Sequence, residues 1–207
     1  MKTATRKDKA KVLEILTQTF DEVQGIKWVV NCNRNKEQRL RALAEYAFEK
    51  SLLRNGVFLS DDETGVALFY RNNFKSNLFY DVLNEIKLIV KALSLRRIPE
   101  ILFRESYRKK IRPQQTDYYY FWMFGVMDDG KGRGAARDLK NALMEKAEME
   151  GLPVYAETSL ERNSKVYERM GFKLYHYWEV KKKDIRLWFV KKEIDDPITL
   201  QAENLLQ

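Results

Sequence analysis

The stretch "GVMDDGKGRGAARDLKNAL", residues 125–143, places an apolar strand end, a glycine-rich basic turn and the start of an amphipathic helix in immediate succession. That order suits anion binding. The first N–H groups of a helix lack intrahelical acceptors, and the helix dipole puts partial positive charge at the same end. Glycines let a phosphate approach the bare backbone, and Lys131 and Arg133 add positive charge. A Walker loop would need Lys-Ser or Lys-Thr after its last glycine, and a Rossmann loop would sit in a strand–helix–strand unit with an acidic residue further on; neither fits well. The plain alternative is a helix start with glycines used for tight turning. Further along, Asn163 and Tyr167 stand four residues apart, on one face of a short helix, and Glu157 lies near the end of the preceding strand.

The elements that must position these groups follow from periodicity. "KTAT" reads as a short edge strand, followed by a helix with Val12, Ile15, Leu16 and Phe20 inward that ends near Gly25. A second helix is predicted over residues 36–54, with Leu40, Leu43, Ala44, Ala47 and Phe48 on one face. "GVFLS" and "GVALFYRNN" read as strands joined by the turn "DDETG". Residues 78–93 carry Phe79, Val82, Leu83, Ile86, Ile89, Val90 and Leu93 at helical spacing, and a further helix is expected after Pro99. These two helices form an insertion, about residues 74–112, expected to pack on the sheet or on a second subunit in a homodimer.

"YYYFWMFGVM", residues 118–127, is predicted as a central strand buried on both faces. A helix to residue 150 follows, with Leu139, Ala142, Leu143 and Ala147 inward, closed by Gly151. "PVYAETS" makes the next strand, "NSKVYERM" a short helix stopped by Gly171, and "FKLYHYWEV" and "IRLWFVKKE" two last strands around the hairpin "KKKD". Residues 1–195 thus read as one α/β domain, a mixed sheet with helices on its faces, and 196–207 as a tail.

With 207 residues and 44% hydrophobic content, one sizeable core is the expectation. A single cysteine, Cys32, excludes an intramolecular disulfide framework; it reads as a passive thiol in a loop. One histidine makes a Cys/His zinc site hard to assemble, so no metal is expected. His176, in an aromatic strand, reads as a packed residue. No signal-peptide stretch and no apolar run of about 18 residues is present, which points to a cytoplasmic protein without a membrane partner. The formal charge of +8 would suit nucleic acid. Acids interrupt the densest basic cluster, residues 96–112, and no nucleic-acid motif accompanies it, so nucleic acid is not the expected partner.

Residues 131–136 resemble the Gln/Arg-x-x-Gly-x-Gly/Ala loop of the GNAT N-acetyltransferase superfamily, with Lys131 in the Gln/Arg position, Gly134 as the central glycine and Ala136 at the end. A second register would run from Asp129 to Gly134. "LPVYAETSLERNSKVYERMGF" is similar to the family's later strand and its Asn-x-x-x-Tyr-Glu-x-x-Gly-Phe segment, so two motifs occur in the family's order over residues 118–192. The middle insertion resembles the puromycin-type branch. The resemblance implies a mostly antiparallel sheet with helices on both faces and a helical insertion between strands three and four.

It also implies an enzyme that uses acetyl-CoA as cosubstrate and acetylates the primary amine of a small molecule, by direct attack on the thioester. A protein or peptide acceptor, or a catalytically silent CoA-binding regulatory module, is the alternative. Cofactor contacts would come from Phe124, Gly125 and Val126, whose strand splays from its neighbour, from Lys131, Gly132, Arg133, Gly134, Ala135 and Ala136, and from Asn163, which reads equally as an N-cap. Tyr167 matches the family's proton donor to the leaving thiolate; a buried structural tyrosine is its plain reading. Glu157 is the candidate general base, with an exposed carboxylate, or a water chain that deprotonates the amine, as the alternatives.

Overall fold

The computed structural model describes residues 1–21, 23, 35–73, 85, 88, 97–181 and 185–194. Its sheet contains seven strands: β1 (Lys2–Thr3), β2 (Val57–Leu59), β3 (Gly65–Arg71), β4 (Tyr119–Val126), β5 (Val154–Thr158), β6 (Lys173–Val180) and β7 (Ile185–Lys192), in the order β1-β2-β3-β4-β5-β7-β6. The described helices are α1 (Lys9–Phe20), α2 (Lys36–Leu52), α3 (Ile98–Ile111), α4 (Ala135–Met149) and α5 (Glu161–Arg169). Only β4 and β5 pair in parallel among the described strands.

Strand alternation sorts the core into two layers. Phe58, Ala67, Phe69, Tyr119, Phe121 and Ala156 face α4, which buries Leu139, Leu143, Met144 and Ala147 against them. Val57, Leu59, Val66 and Leu68 face the other way, against Val12, Ile15 and Leu16 of α1 and Ala44, Ala47 and Phe48 of α2. Ala142 is only half-buried, and Met144 takes its expected place inward. α3 follows β3, in the predicted insertion, with Pro99 in its first turn. It packs on the sheet through Tyr107 and Ile111, against Trp178, Ile185, Leu187 and Phe189. Most of the predicted helix over 78–93, Cys32, most of the last hairpin and the tail from 196 lie outside the described residues.

β4 departs from the expected burial in its second half. Residues 118–121 are buried, whereas Trp122, Met123 and Phe124 are half-buried. The register explains this: Leu68 sits opposite Met123 and Phe69 opposite Phe121, so Trp122 is an extra residue with no partner on β3. A bulge bends the strand that carries it and increases the local twist. On the other side, β4 pairs with β5 only as far as Phe121 opposite Ala156. Beyond that rung β5 continues along β7 to Thr158, and β4 runs on alone on that edge to Val126.

α1 closes over this free segment. A Cβ on Gly125 would lie 2.3 Å from Thr19 Oγ1 and 2.9 Å from its Cβ, so helix and strand meet at a distance only glycine allows. Gly125→Val should therefore destabilise the fold by roughly 1–3 kcal/mol, read as a lower midpoint in urea unfolding; an unchanged midpoint would mean that α1 is not seated there.

Candidate active site

The chain leaving β4 makes a 3-10 turn over Asp128–Gly130 and reaches α4 through Gly132 (φ 80) and Gly134 (φ 91), both left-handed. Gly134 is the N-cap of α4, no side chain caps the helix, and the first helical bond runs from Asp138 N–H to the Gly134 carbonyl at 2.9 Å. The N–H groups of Ala135, Ala136 and Arg137 are thus left by helix geometry without intrahelical acceptors. A Cβ on Gly132 would meet nothing within 4 Å, so the loop presents an open cradle of backbone. Lys131 is paired with Asp128 at 2.5 Å and Arg137 with Asp138 at 3.3 Å, but all four side chains are exposed and such pairs are weak. Arg133 makes no ion pair with the described residues. The residues present therefore fit a phosphate group.

Phe124, Gly125 and Val126 lie on the free edge of β4, next to this loop. Backbone groups on that edge need partners that β5 does not supply. Tyr167 is on α5, its ring edge-on to Phe121 (6.2 Å between centroids) and to Phe172 (5.2 Å). It therefore stands at the root of the gap, on the α4 side of the sheet. Its hydroxyl makes no hydrogen bond with the described residues, and burial pushes its pKa up to about 12. Asn163 is not an N-cap: α5 begins at Glu161 with Leu160 as its cap, two residues earlier than the sequence suggested. Asn163 is instead in the first turn, half-buried and four residues before Tyr167.

Glu157 is not an exposed carboxylate. Its side chain is 2% accessible, on the sheet face opposite Tyr167, and two guanidiniums from α3 and its end close on it. Arg112 donates from Nε to Oε1 at 2.5 Å and from Nη2 to Oε2 at 3.1 Å, while Arg108 Nε forms an ion pair with Oε2 at 2.8 Å. Arg112 also donates to the Tyr120 hydroxyl at 2.8 Å and to Glu105 at 3.2 Å. Burial alone would raise the Glu157 carboxyl, but the two guanidiniums overcome it and hold the carboxyl below the usual range. Charges so placed are matched within the cluster, and the carboxylate has little basicity left.

α3 is further fixed by Tyr107, which stacks on Trp178 (3.9 Å between centroids) and shares a 2.8 Å hydrogen bond with His176. His176 is thus a packed residue. The structure sets the loop at the far end of the gap, the free edge of β4 along it and Tyr167 at its root, and puts Glu157 at that root on the other face of the sheet. Sequence reasoning missed Trp122 as a bulge and Arg108 and Arg112 as partners of Glu157. The one available signal was their four-residue spacing, which gives both the same helix face.

This geometry has relatives. The chain matches no protein-family model. A histone acetyltransferase HPA2 and related acetyltransferase of Corynebacterium glutamicum superposes with a TM-score of 0.67 at 19% identity, over 95% of this chain and 96% of that one. Arylalkylamine N-acetyltransferase 2 of Aedes aegypti superposes with a TM-score of 0.64 at 19% identity, over 94% and 98%. The chain has the GNAT acetyltransferase fold. In sequence, an uncharacterized N-acetyltransferase of Schizosaccharomyces pombe is 24% identical over 152 residues, 68% of this chain and 62% of the relative, so the chain spans less than two thirds of that protein.

Within this GNAT fold the clamp on Glu157 has a pH signature. A carboxyl held below its unfolded pKa of about 4.3 contributes its full stabilisation above that value and loses it only as pH falls through the lower folded value. The difference in urea-unfolding stability between the unaltered protein and Glu157→Gln should stay constant from pH 7 to 5 and shrink only below about pH 4; a difference that already shrinks near pH 5.5 would show an unclamped carboxyl.

Proposed function

We propose that the chain is an acetyl-CoA-dependent N-acetyltransferase that acetylates the primary amine of a small molecule. One observation carries the reading: β4 parts from β5 at the Trp122 bulge, and its free edge leads straight to the uncapped start of α4. Acetyl-CoA would supply the activated acyl group as a thioester. Its phosphates are bound by the N–H groups of Gly132 and Gly134 through Arg137, with Lys131 and Arg133 adding charge. Asn163 contributes a side-chain contact. The backbone of Phe124, Gly125 and Val126 holds the extended arm as a neighbouring strand would, and one of its N–H groups donates to the reacting carbonyl oxygen, worth about 3 kcal/mol when preorganised.

Tyr167 keeps its proton throughout the neutral range and is available as a donor to the departing sulfur. With a hydroxyl pKa of about 12 against a thiol near 8.5, full proton transfer is uphill by about 5 kcal/mol. Its contribution is then a hydrogen bond to the sulfur, with the proton settling through solvent. Both oxygens of Glu157 are engaged, so the amine proton leaves to water and Glu157 secures α3 at the root of the gap.

Acetyl-CoA at a hundredfold excess over its Kd should stabilise the protein by about 2.7 kcal/mol, a rise in Tm of roughly 5–10 °C for a chain of this size. Gly134→Glu, which puts a carboxylate into the cradle, should remove that rise; no rise in the unaltered protein at millimolar acetyl-CoA overturns the reading. Tyr167→Phe should lower kcat about tenfold to a hundredfold with the Km for acetyl-CoA nearly unchanged. Equal turnover would take Tyr167 out of the mechanism. Thiol release across polyamines, aminoglycosides, amino acids and peptides identifies the acceptor; a Tm rise without turnover on any of them would favour a silent CoA-binding module.

A further inference from the structure

Within itself the cradle after β4 is held by three backbone bonds, from Gly130, Lys131 and Arg133 N–H to the carbonyls of Met127, Asp128 and Gly130 at 3.0, 3.2 and 3.3 Å. Its side-chain ion pairs are exposed, its helix start is uncapped, and two of its residues are left-handed glycines. A backbone site of this kind binds well only if its N–H groups already point together. The support comes from the turn between β2 and β3, which the sequence marks only as a turn.

Thr64 touches the loop twice. Its carbonyl accepts Met127 N–H at 2.9 Å, continuing the β3–β4 ladder one step beyond the strand ends. Its side chain lies flat on Gly130, where an added Cβ would come within 2.1 Å of Thr64 Oγ1 and 2.6 Å of its Cβ. Gly130 is buried there, at the end of the 3-10 turn that aims the chain at Lys131.

Thr64 is in turn immobilised by Asp62. The Thr64 hydroxyl donates to Asp62 Oδ2 at 2.9 Å and its N–H to Oδ1 at 3.2 Å, while Ser60 Oγ donates to Oδ1 at 2.6 Å and accepts Gly65 N–H at 2.8 Å. Ser60 and Thr64 are 4% and 7% exposed, so this is an ordered network at the edge of the core. The Ser60 hydrogen bond, with the Thr64 bonds, lowers the Asp62 carboxyl against a smaller opposing effect of burial, keeping it ionised as an acceptor at neutral pH. Across a cavity of about 160 Å³ the same turn, through Ser60, Asp61 and Asp62, faces Arg133, Ala135 and Asp138 at the start of α4.

We propose that Asp62 and Thr64 are positioning residues that preset the anion-binding loop, acting through Met127 and Gly130 without touching the ligand. The inference rests on the proposed CoA reading for its effect on binding, but the presetting itself is a property of the free protein.

Two measurements separate these. Amide hydrogen exchange over residues 127–133, in protein without any ligand, should quicken about tenfold in Thr64→Val and in Asp62→Ala, while exchange in β6 and β7 stays unchanged. In isothermal titration with coenzyme A, both variants should bind about tenfold more weakly, kcat at saturating acetyl-CoA should stay within about twofold, and Thr64→Ser should restore binding. Unchanged exchange at 127–133 overturns the proposal, whatever CoA does. So does a parallel fall in kcat and global stability that Thr64→Ser fails to rescue, since that is general damage to the core. If the unaltered protein binds no CoA, the function reading fails, and the exchange result alone decides the positioning.

Discussion

Trp122 has no residue opposite it on β3, and the rest of the site depends on that one missing partner. A strand that carries an extra residue must bend, and β4 bends away from β5 immediately after their last shared rung, Phe121 with Ala156. The free edge of β4, the approach of α1 to Gly125 and the direction in which the chain enters α4 all follow. An unbroken ladder would satisfy the same backbone groups with β5 and leave nothing for a ligand to pair with.

The two sheet faces then divide the work at the level of that bulge. On the α4 side stands a hydroxyl without a partner among the described residues, that of Tyr167, beside Phe121 and Phe172. On the other side the charges of one cluster are matched: Glu157 by Arg108 and Arg112, and Arg112 also by Glu105 and Tyr120. A group left unengaged by the described residues and a group tied down, on opposite faces of the sheet, suit different roles. The first is poised to meet a ligand and the second to hold a helix.

Much of this was legible in the residues. Helical spacing located α1, α2 and α4 within a few residues, because each buries one apolar stripe, whereas α5 buries no residue fully and was marked only by its stop at Gly171. The turn "DDETG" and the glycine-rich loop were visible from residues with special backbone freedom. The bulge was not, since nothing in "YYYFWMFGVM" distinguishes a straight strand from a bent one; the extra residue exists only relative to β3. The surroundings of Glu157, read as a candidate general base with an exposed carboxylate as the alternative, were not legible, because its cations lie 45 and 49 positions earlier in sequence. Asn163 as a cap was a matter of boundary, as helix ends are read from sequence only to within a few residues.

The parallel seam between β4 and β5 has a mechanical meaning. β1 to β4 and β5 to β7 are each continuous antiparallel sheets, and three rungs join them. The core under α4, which takes in Tyr119 and Phe121 of β4 and Val154 and Ala156 of β5, and Arg112, bonded both to Tyr120 of β4 and to Glu157 of β5, act as straps over that joint. The space beside the free edge of β4 opens where this joint stops, so the same core that fastens the two half-sheets also fixes the width of the gap between them.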